Sequence, residues 1–309
     1  MSDIILHHYP ISPFSEKVRL ILGYKKLAWK SVVIPTIMPK PDVVALTGGY
    51  RRTPFMQIGA DIYCDSALIA EVLERMAPES SLFPAESSGL ARTLAQWADA
   101  TLFWTVIGYV FQPSAVPYLL GNVTPEQMKA FSVDRAAMRG NAPRMSVAEA
   151  SGALTEYLHR LESMLAGGKP YLLGQQATIA DFSVYHCLWF VKKAEPVAGI
   201  LDIAPALKQW LARMSEFGHH EFEALDSEQA VAIARSSTPA TGQDSEFYDA
   251  HGISLGERVT ITPTDYALDP VEGELVLSTA SEIAVRREDA RAGVVVVHFP
   301  RVGFQLKKA

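Results

Sequence analysis

Tyr9-Pro10-Ile11-Ser12-Pro13-Phe14-Ser15-Glu16-Lys17-Val18-Arg19 decides the fold of this chain, because it sets a hydroxyl and then a proline where a short strand gives way to a helix. Upstream, Ile4, Ile5 and Leu6 form a compact apolar run of strand type. Downstream, Phe14, Val18, Ile21 and Leu22 recur at helical spacing. Proline in a first helical turn is pre-set for the helix and lacks only an N–H that would have had no partner. Ser12 therefore falls at or beside the N-cap, where unpaired N–H groups and the positive end of the helix dipole favour an anion. A thiolate is such an anion. Simple helix capping is the other role open to a serine here.

Two later stretches add to this. Thr53-Pro54-Phe55-Met56-Gln57-Ile58 reads as a strand with proline at its entrance, a position where proline is tolerated and a cis bond would be a structural feature. Asp65-Ser66 then opens the helical run Ala67–Glu74. An acid and a hydroxyl at a helix start can cap it or hold the charged end of a small ligand.

In order and spacing these three stretches resemble the glutathione transferase family. The resemblance implies a thioredoxin-like domain whose catalytic residue follows the first strand, here Ser12, with Ser15 and Tyr9 as alternates. It implies that Thr53, before a cis-Pro54, pairs through its backbone with the cysteinyl part of glutathione, and that Asp65 and Ser66 receive the γ-glutamyl end. The Ser-Pro-Phe-Ser turn is also similar to the Cys-Pro-Phe/Tyr-Cys turn of glutaredoxins with both thiols replaced by hydroxyls. With no thiol at position 12, thiol transfer through a mixed disulfide is disfavoured there, and conjugation or isomerisation is favoured. The implied activity is conjugation of glutathione, the cosubstrate, to a small hydrophobic electrophile by a homodimeric detoxifying enzyme. The alternative is a non-catalytic binding or scaffold protein that kept the fold.

Bulk properties agree with a globular protein. The 309 residues suffice for two or three domains, and 49% hydrophobic with 20% charged content is ordinary. A net charge of −6 argues against broad binding to nucleic acid or anionic membrane. No apolar run approaches the roughly 18–20 residues a membrane helix needs. Met-Ser-Asp has neither the basic flank nor the apolar core of a secretory signal, and the two cysteines allow one disulfide at most, so the expected compartment is the cytoplasm.

Residues 1–80 read as the thioredoxin-like glutathione-binding domain. Residues 88–225 read as all-helical, with one long helix from Leu90 through Trp104, a partly irregular connection over 121–145, and a helix from Val147 to Leu165. Thr178-Ile-Ala-Asp181 has the form of a capping box with a structural role. Residues 226–256 turn polar and read as a linker, the resemblance having ended near 225. Five short β-type runs in 257–309 suggest a small all-β module, an SH3-like barrel appended to the family's usual two domains. As an appendage it offers itself to a protein partner, and deleting 240–309 is then expected to spare turnover.

The pairs His7-His8 and His219-His220 lack the companions of a metal site, and no metal is expected. Cys64 reads as a buried thiol. Trp97, Phe103, Trp104, Tyr109 and Phe111 are either helical core or the wall of an acceptor pocket. Arg286, Arg287, Arg291, Arg301, Lys307 and Lys308 are interleaved with acids, which reads as a mixed solvated surface rather than an RNA-binding face.

Overall fold

β1 (Ile4–His8) is buried along its whole length, which is why its sequence is apolar without alternation. It leads into α1 (Pro13–Tyr24) and pairs in parallel with β2 (Trp29–Val33). After α2 (Pro41–Thr47), the hairpin β3 (Phe55–Ile58) and β4 (Asp61–Cys64) lies antiparallel to β1 and hands over to α3 (Ser66–Met76). This is the thioredoxin-like arrangement, and the Thr53–Pro54 bond is cis. The computed structural model describes residues 3–141, 143–240, 247–248 and 250–309. Residues 241–246 of the polar linker stretch therefore lie outside the described residues.

The helical layer comprises α4 (Ser88–Trp97), α5 (Phe103–Val110), α6 (Val116–Leu120), α7 (Pro125–Arg139), α8 (Val147–Met164), α9 (Ile179–Lys193) and α10 (Pro205–Ser215). The long helix expected from Leu90 to Trp104 is continuous in direction but contains a π-turn at Ala98–Leu102, between α4 and α5. The connection expected to be irregular over 121–145 holds the fifteen residues of α7. Its start was legible: Thr124 caps it in a complete box with Gln127, and Pro125 occupies the first turn. The box at the start of α9 is also made, in a modified form. The Asp181 carboxylate accepts the Thr178 N–H at 2.9 Å, and the Thr178 hydroxyl donates to the same carboxylate at 3.1 Å.

All five expected C-terminal strands are present as β6 (Arg258–Pro263), β7 (Val271–Ser278), β8 (Glu282–Asp289), β9 (Gly293–Pro300) and β10 (Phe304–Lys308). The β module does not stand apart. β9 pairs in parallel with β4, so one ten-stranded sheet runs β10-β6-β7-β8-β9-β4-β3-β1-β2-β5, where β5 is Phe222–Ala224. Within the linker stretch, Asp226 caps the helix α11 (Ser227–Ser236), whose Ala230, Val231 and Ala234 are buried. The two faces of β1 separate two cores. Ile4 and Leu6 join the core shared with the helical layer, while Ile5 joins a second core with Phe55, Ile62, Val285, Val297 and Phe299.

A buried histidine marks the seam between β4 and β9. His298 stacks on Tyr63 at 4.5 Å, with Glu282 Oε1 at 2.7 Å from Nδ1 and Asp61 Oδ1 at 3.1 Å from Nε2. Burial by itself lowers an imidazole pKa, but these two carboxylates override it and raise that of His298. A base whose pKa is raised on folding adds stability that is whole below its unfolded value, ~6.5, and disappears as pH rises through the folded value. Thermal stability is thus expected to fall as pH rises above that unfolded value, more steeply in the wild type than in His298→Gln. Parallel pH profiles of the melting temperature would show that no charged imidazole holds the seam.

Candidate active site

Ser12 is the N-cap of α1, and its Oγ accepts the Ser15 N–H at 3.2 Å. It is buried within a cleft of about 2020 Å³ between the sheet and the helical layer. Tyr9 lies beside it, its hydroxyl accepting from the Arg135 guanidinium at 3.3 Å. Burial raises the Tyr9 pKa, against the opposing pull of Arg135 and of a hydrogen bond with Ser12. Tyr9 consequently remains a protonated donor at neutral pH. Ser15 is fully buried, its Oγ has no hydrogen-bond partner among the described residues, and it does not line the cleft.

Thr53 and Pro54 line the same cleft, as do Asp65 and Ser66. Asp65 has φ 77°, a left-handed conformation, and from it the carboxylate accepts the Ala67 N–H at 2.9 Å as the N-cap of α3. Burial pushes its carboxyl pKa up, with the Ala67 N–H and Arg52 pulling the other way. Ser66 Oγ accepts from the buried Lys17 ammonium at 3.3 Å, and Lys17 is also held by Asp99 at 2.6 Å. His186 reaches the other oxygen of Asp99 at 2.9 Å. Burial alone would raise the Asp99 carboxyl; Lys17 and His186 overcome it and bring the pKa down to about 2. Asp99 sits in the π-turn, and such turns are frequent at functional sites.

The side chains that sequence reading missed are Lys17, Lys40, Arg52, Asp99, Arg135 and His186. Lys17 and Arg52 adjoin Ser12 and Thr53 in the chain, but their partners Asp99 and Asp265 do not, and Lys40, Asp99, Arg135 and His186 come from other elements, so none had a local pattern to mark it. Arg52 reaches into the β module, donating to the Tyr266 carbonyl at 2.9 Å and to Asp265 at 2.5 Å. Tyr266 in turn stands edge-on to Trp104 at 5.0 Å. The module therefore supplies part of the cleft wall. Lys40 is buried over the Tyr9 ring at 5.8 Å; burial and the neighbouring Arg135 and Arg51 lower its pKa to about 8, against Asp134.

Among the aromatic candidates, Phe103, Trp104 and Phe111 line the cleft, whereas Tyr109 turns inward and donates to the Val197 carbonyl at 2.8 Å. Trp97 packs against Tyr157 at 5.2 Å, outside the cleft. Cys64, the last residue of β4, is fully buried in the second core, and burial pushes its thiol pKa well up. Arg286, Arg291 and Lys308 are ion-paired with Glu274, Asp42 and Glu257. Among the described residues, no group of three or more His, Cys, Asp or Glu side chains is placed to hold a metal, and no helix is long and apolar enough to cross a membrane.

With this geometry in hand, the sequence matches two family models. "Glutathione S-transferase, N-terminal domain" covers residues 6–81, and "Glutathione S-transferase, C-terminal domain" covers residues 111–217. A GST-like protein from Pseudomonas syringae is 42% identical over the whole of both chains, with a TM-score of 0.85, so the β module is shared with it. FtsZ-localized protein A of Caulobacter vibrioides is 27% identical over 184 residues, which is 58% of this chain and 72% of that protein. A glutathione transferase from Phanerochaete chrysosporium shares the fold at a TM-score of 0.57 and 19% identity, covering 70% of this chain but 98% of its own.

Proposed function

The chain belongs to the glutathione transferase family, and on that premise we propose that it conjugates glutathione to a small hydrophobic electrophile through a thiolate stabilised by Ser12. A free thiol with pKa ~8.5 is only a few per cent ionised at neutral pH, and the thiolate is the form that attacks. The observation that carries the reading is the convergence of the Ser12 hydroxyl, the protonated Tyr9 and the α1 N-terminus on one side of the cleft that Thr53, Asp65 and Ser66 also line. Thr53 and Pro54 hold the cysteinyl backbone, and Asp65 and Ser66 fix the γ-glutamyl end. Lys40, buried and without a carboxylate partner among the described residues, supplies the counter-charge for the tripeptide's other end. In the chemical step the sulfur electron pair forms the new bond to carbon, and the leaving group departs with its own bonding pair.

The direct test is a glutathione titration followed by thiolate ultraviolet absorbance across neutral pH. A saturable signal with a midpoint below the pKa of the free thiol supports the reading, and no thiolate signal removes it. Ser12→Ala is expected to retain glutathione affinity while turnover falls roughly tenfold to a hundredfold, equivalent to one or two units of thiol pKa. Unchanged turnover would take Ser12 out of the mechanism and leave Tyr9 as the donor. The family's usual assembly, a homodimer, is checked by light scattering.

The likeness to FtsZ-localized protein A favours a second reading, a scaffold that binds a protein partner through residues 257–309. Co-sedimentation with FtsZ polymer, without a thiolate signal, would support it. A thiolate signal without co-sedimentation leaves conjugation standing.

A further inference from the structure

The end of the cleft bordered by Tyr9 and α7 is positive in a protein whose net charge is −6. Lys40, Arg51, Arg135 and Arg139 all line it. The carboxylates that answer them are Asp134, bonded to Arg51 at 2.7 Å and to Arg135 at 2.5 Å, and Asp269, at 3.8 Å from Arg51. Among the described residues these contacts pair Arg51 and Arg135 and leave Lys40 and Arg139 without an ion-pair partner. The tripeptide brings one further carboxylate to this end, which leaves a cation still unanswered. The geometry identifies it as Arg139.

Arg139 lies in the last turn of α7, and among the described residues it has no ion-pair partner and its buried Nε has no hydrogen-bond acceptor. Buried donors left unsatisfied are rare in folded proteins, because such a group forfeits its hydration without compensation. Attraction to the helix C-terminus accounts for a cation at this point of the chain, but does not account for a buried, unfilled N–H. Arg135 is one turn away, stacked on Phe131 at 4.6 Å and fixed by the Tyr9 hydroxyl and the Thr36 carbonyl. Aromatic surface and an unfilled guanidinium therefore meet on the α7 wall of the cleft, one helical turn beyond the Arg135 that the Tyr9 hydroxyl holds.

We propose that this end of the cleft is an anion subsite, and that the electrophile conjugated here is an aromatic or similarly apolar carboxylic acid whose carboxylate Arg139 receives beside Arg135. The inference rests on the conjugation reading and adds the substrate class to it. With an aryl chloride activated by a nitro group, the thiolate sulfur forms a C–S bond, the C–Cl bond breaks, and chloride leaves with the bonding pair. The thiol proton has already passed to solvent.

The experiment uses the full chain and two matched probes, S-(4-carboxy-2-nitrophenyl)glutathione and its carboxamide, titrated by calorimetry. Turnover of 4-chloro-3-nitrobenzoate against 4-chloro-3-nitrobenzamide is measured alongside. The acid is expected to bind roughly tenfold or more tightly than the amide, as for a hydrogen bond to a charged group. Arg139→Met is expected to bring that ratio close to one, and Arg139→Lys to restore part of it. Equal binding of acid and amide by a wild type that binds glutathione overturns the subsite while leaving conjugation intact. So does an acid preference that survives Arg139→Met, or a loss of affinity in that variant that is as large for glutathione itself. Failure of glutathione to bind at all would instead remove the conjugation reading on which the subsite rests.

Discussion

A chain ended at Gly256 is expected to aggregate, not to fold as a transferase lacking an appendage. The sequence read alone sets residues 257–309 apart as an appendage and predicts that turnover survives deletion of 240–309. The sheet order argues against that expectation. β9 is hydrogen-bonded to β4, and Val285, Val295, Val297 and Phe299 are buried in one core with Ile5, Phe55 and Ile62. Tyr50 packs edge-on against Phe299 at 5.9 Å. Removing the module would uncover this face, and each large apolar side chain returned to water costs roughly 1.5–3 kcal/mol. A handful of such residues equals the whole stability of an ordinary domain, about 5–15 kcal/mol. The truncation would also open the β4 edge, a template for pairing between chains. Expression of residues 1–256 followed by size-exclusion chromatography and circular dichroism decides the matter. A soluble, monodisperse, cooperatively melting product would mean that β4–β9 pairing is incidental. For the same reason truncation cannot separate the catalytic from the scaffold reading; point substitutions on the module surface can.

Replacing Asp181 by alanine should be the most damaging single substitution in the helical layer. The carboxylate is fully buried and accepts the Thr178 N–H, the Leu172 N–H at 2.9 Å and the Trp210 indole N–H at 3.0 Å. Burial raises its pKa, and these donors oppose that by stabilising the charged form. Alanine leaves these three N–H donors buried and unanswered, and takes the acceptor from the Thr178 hydroxyl as well. At roughly 1–3 kcal/mol for each unsatisfied group, with partial relaxation, the expected loss is about 3–5 kcal/mol. Asparagine would retain an acceptor and lose less. Denaturant melts of the wild type and both variants measure this. A loss under 1 kcal/mol for alanine would show that water or a local shift satisfies the donors.

Most of the architecture was legible because its signals are local. Strand runs, Pro13 at a helix start, the Asp65-Ser66 opening and the box before α9 depend on residues a few positions apart. So does the start of α7, although the polar composition around Thr124-Pro125 masks its signal. The helix α11 was hidden in the same way, since Ser227-Glu-Gln-Ala-Val-Ala-Ile-Ala carries a narrow apolar face inside a polar stretch. The π-turn had no sequence mark, because it arises where α4 and α5 pack on α9 and not from the propensity of any residue.

The sequence by itself determined the strands and most of the helices, set by periodicity, caps and turn residues acting over a few positions, while Ser12, Thr53, Asp65 and Ser66 were marked as site candidates by the family resemblance. Tertiary structure alone decided that the β module extends the central sheet, that Lys17, Asp99 and His186 join behind Ser66, and that Arg52 bridges to Asp265 and Tyr266. Edge pairing and buried charge networks join residues up to some 240 positions apart, as Asp61 and His298 are. Their energy comes from shared burial and desolvated charge, which exist only once the chain has closed.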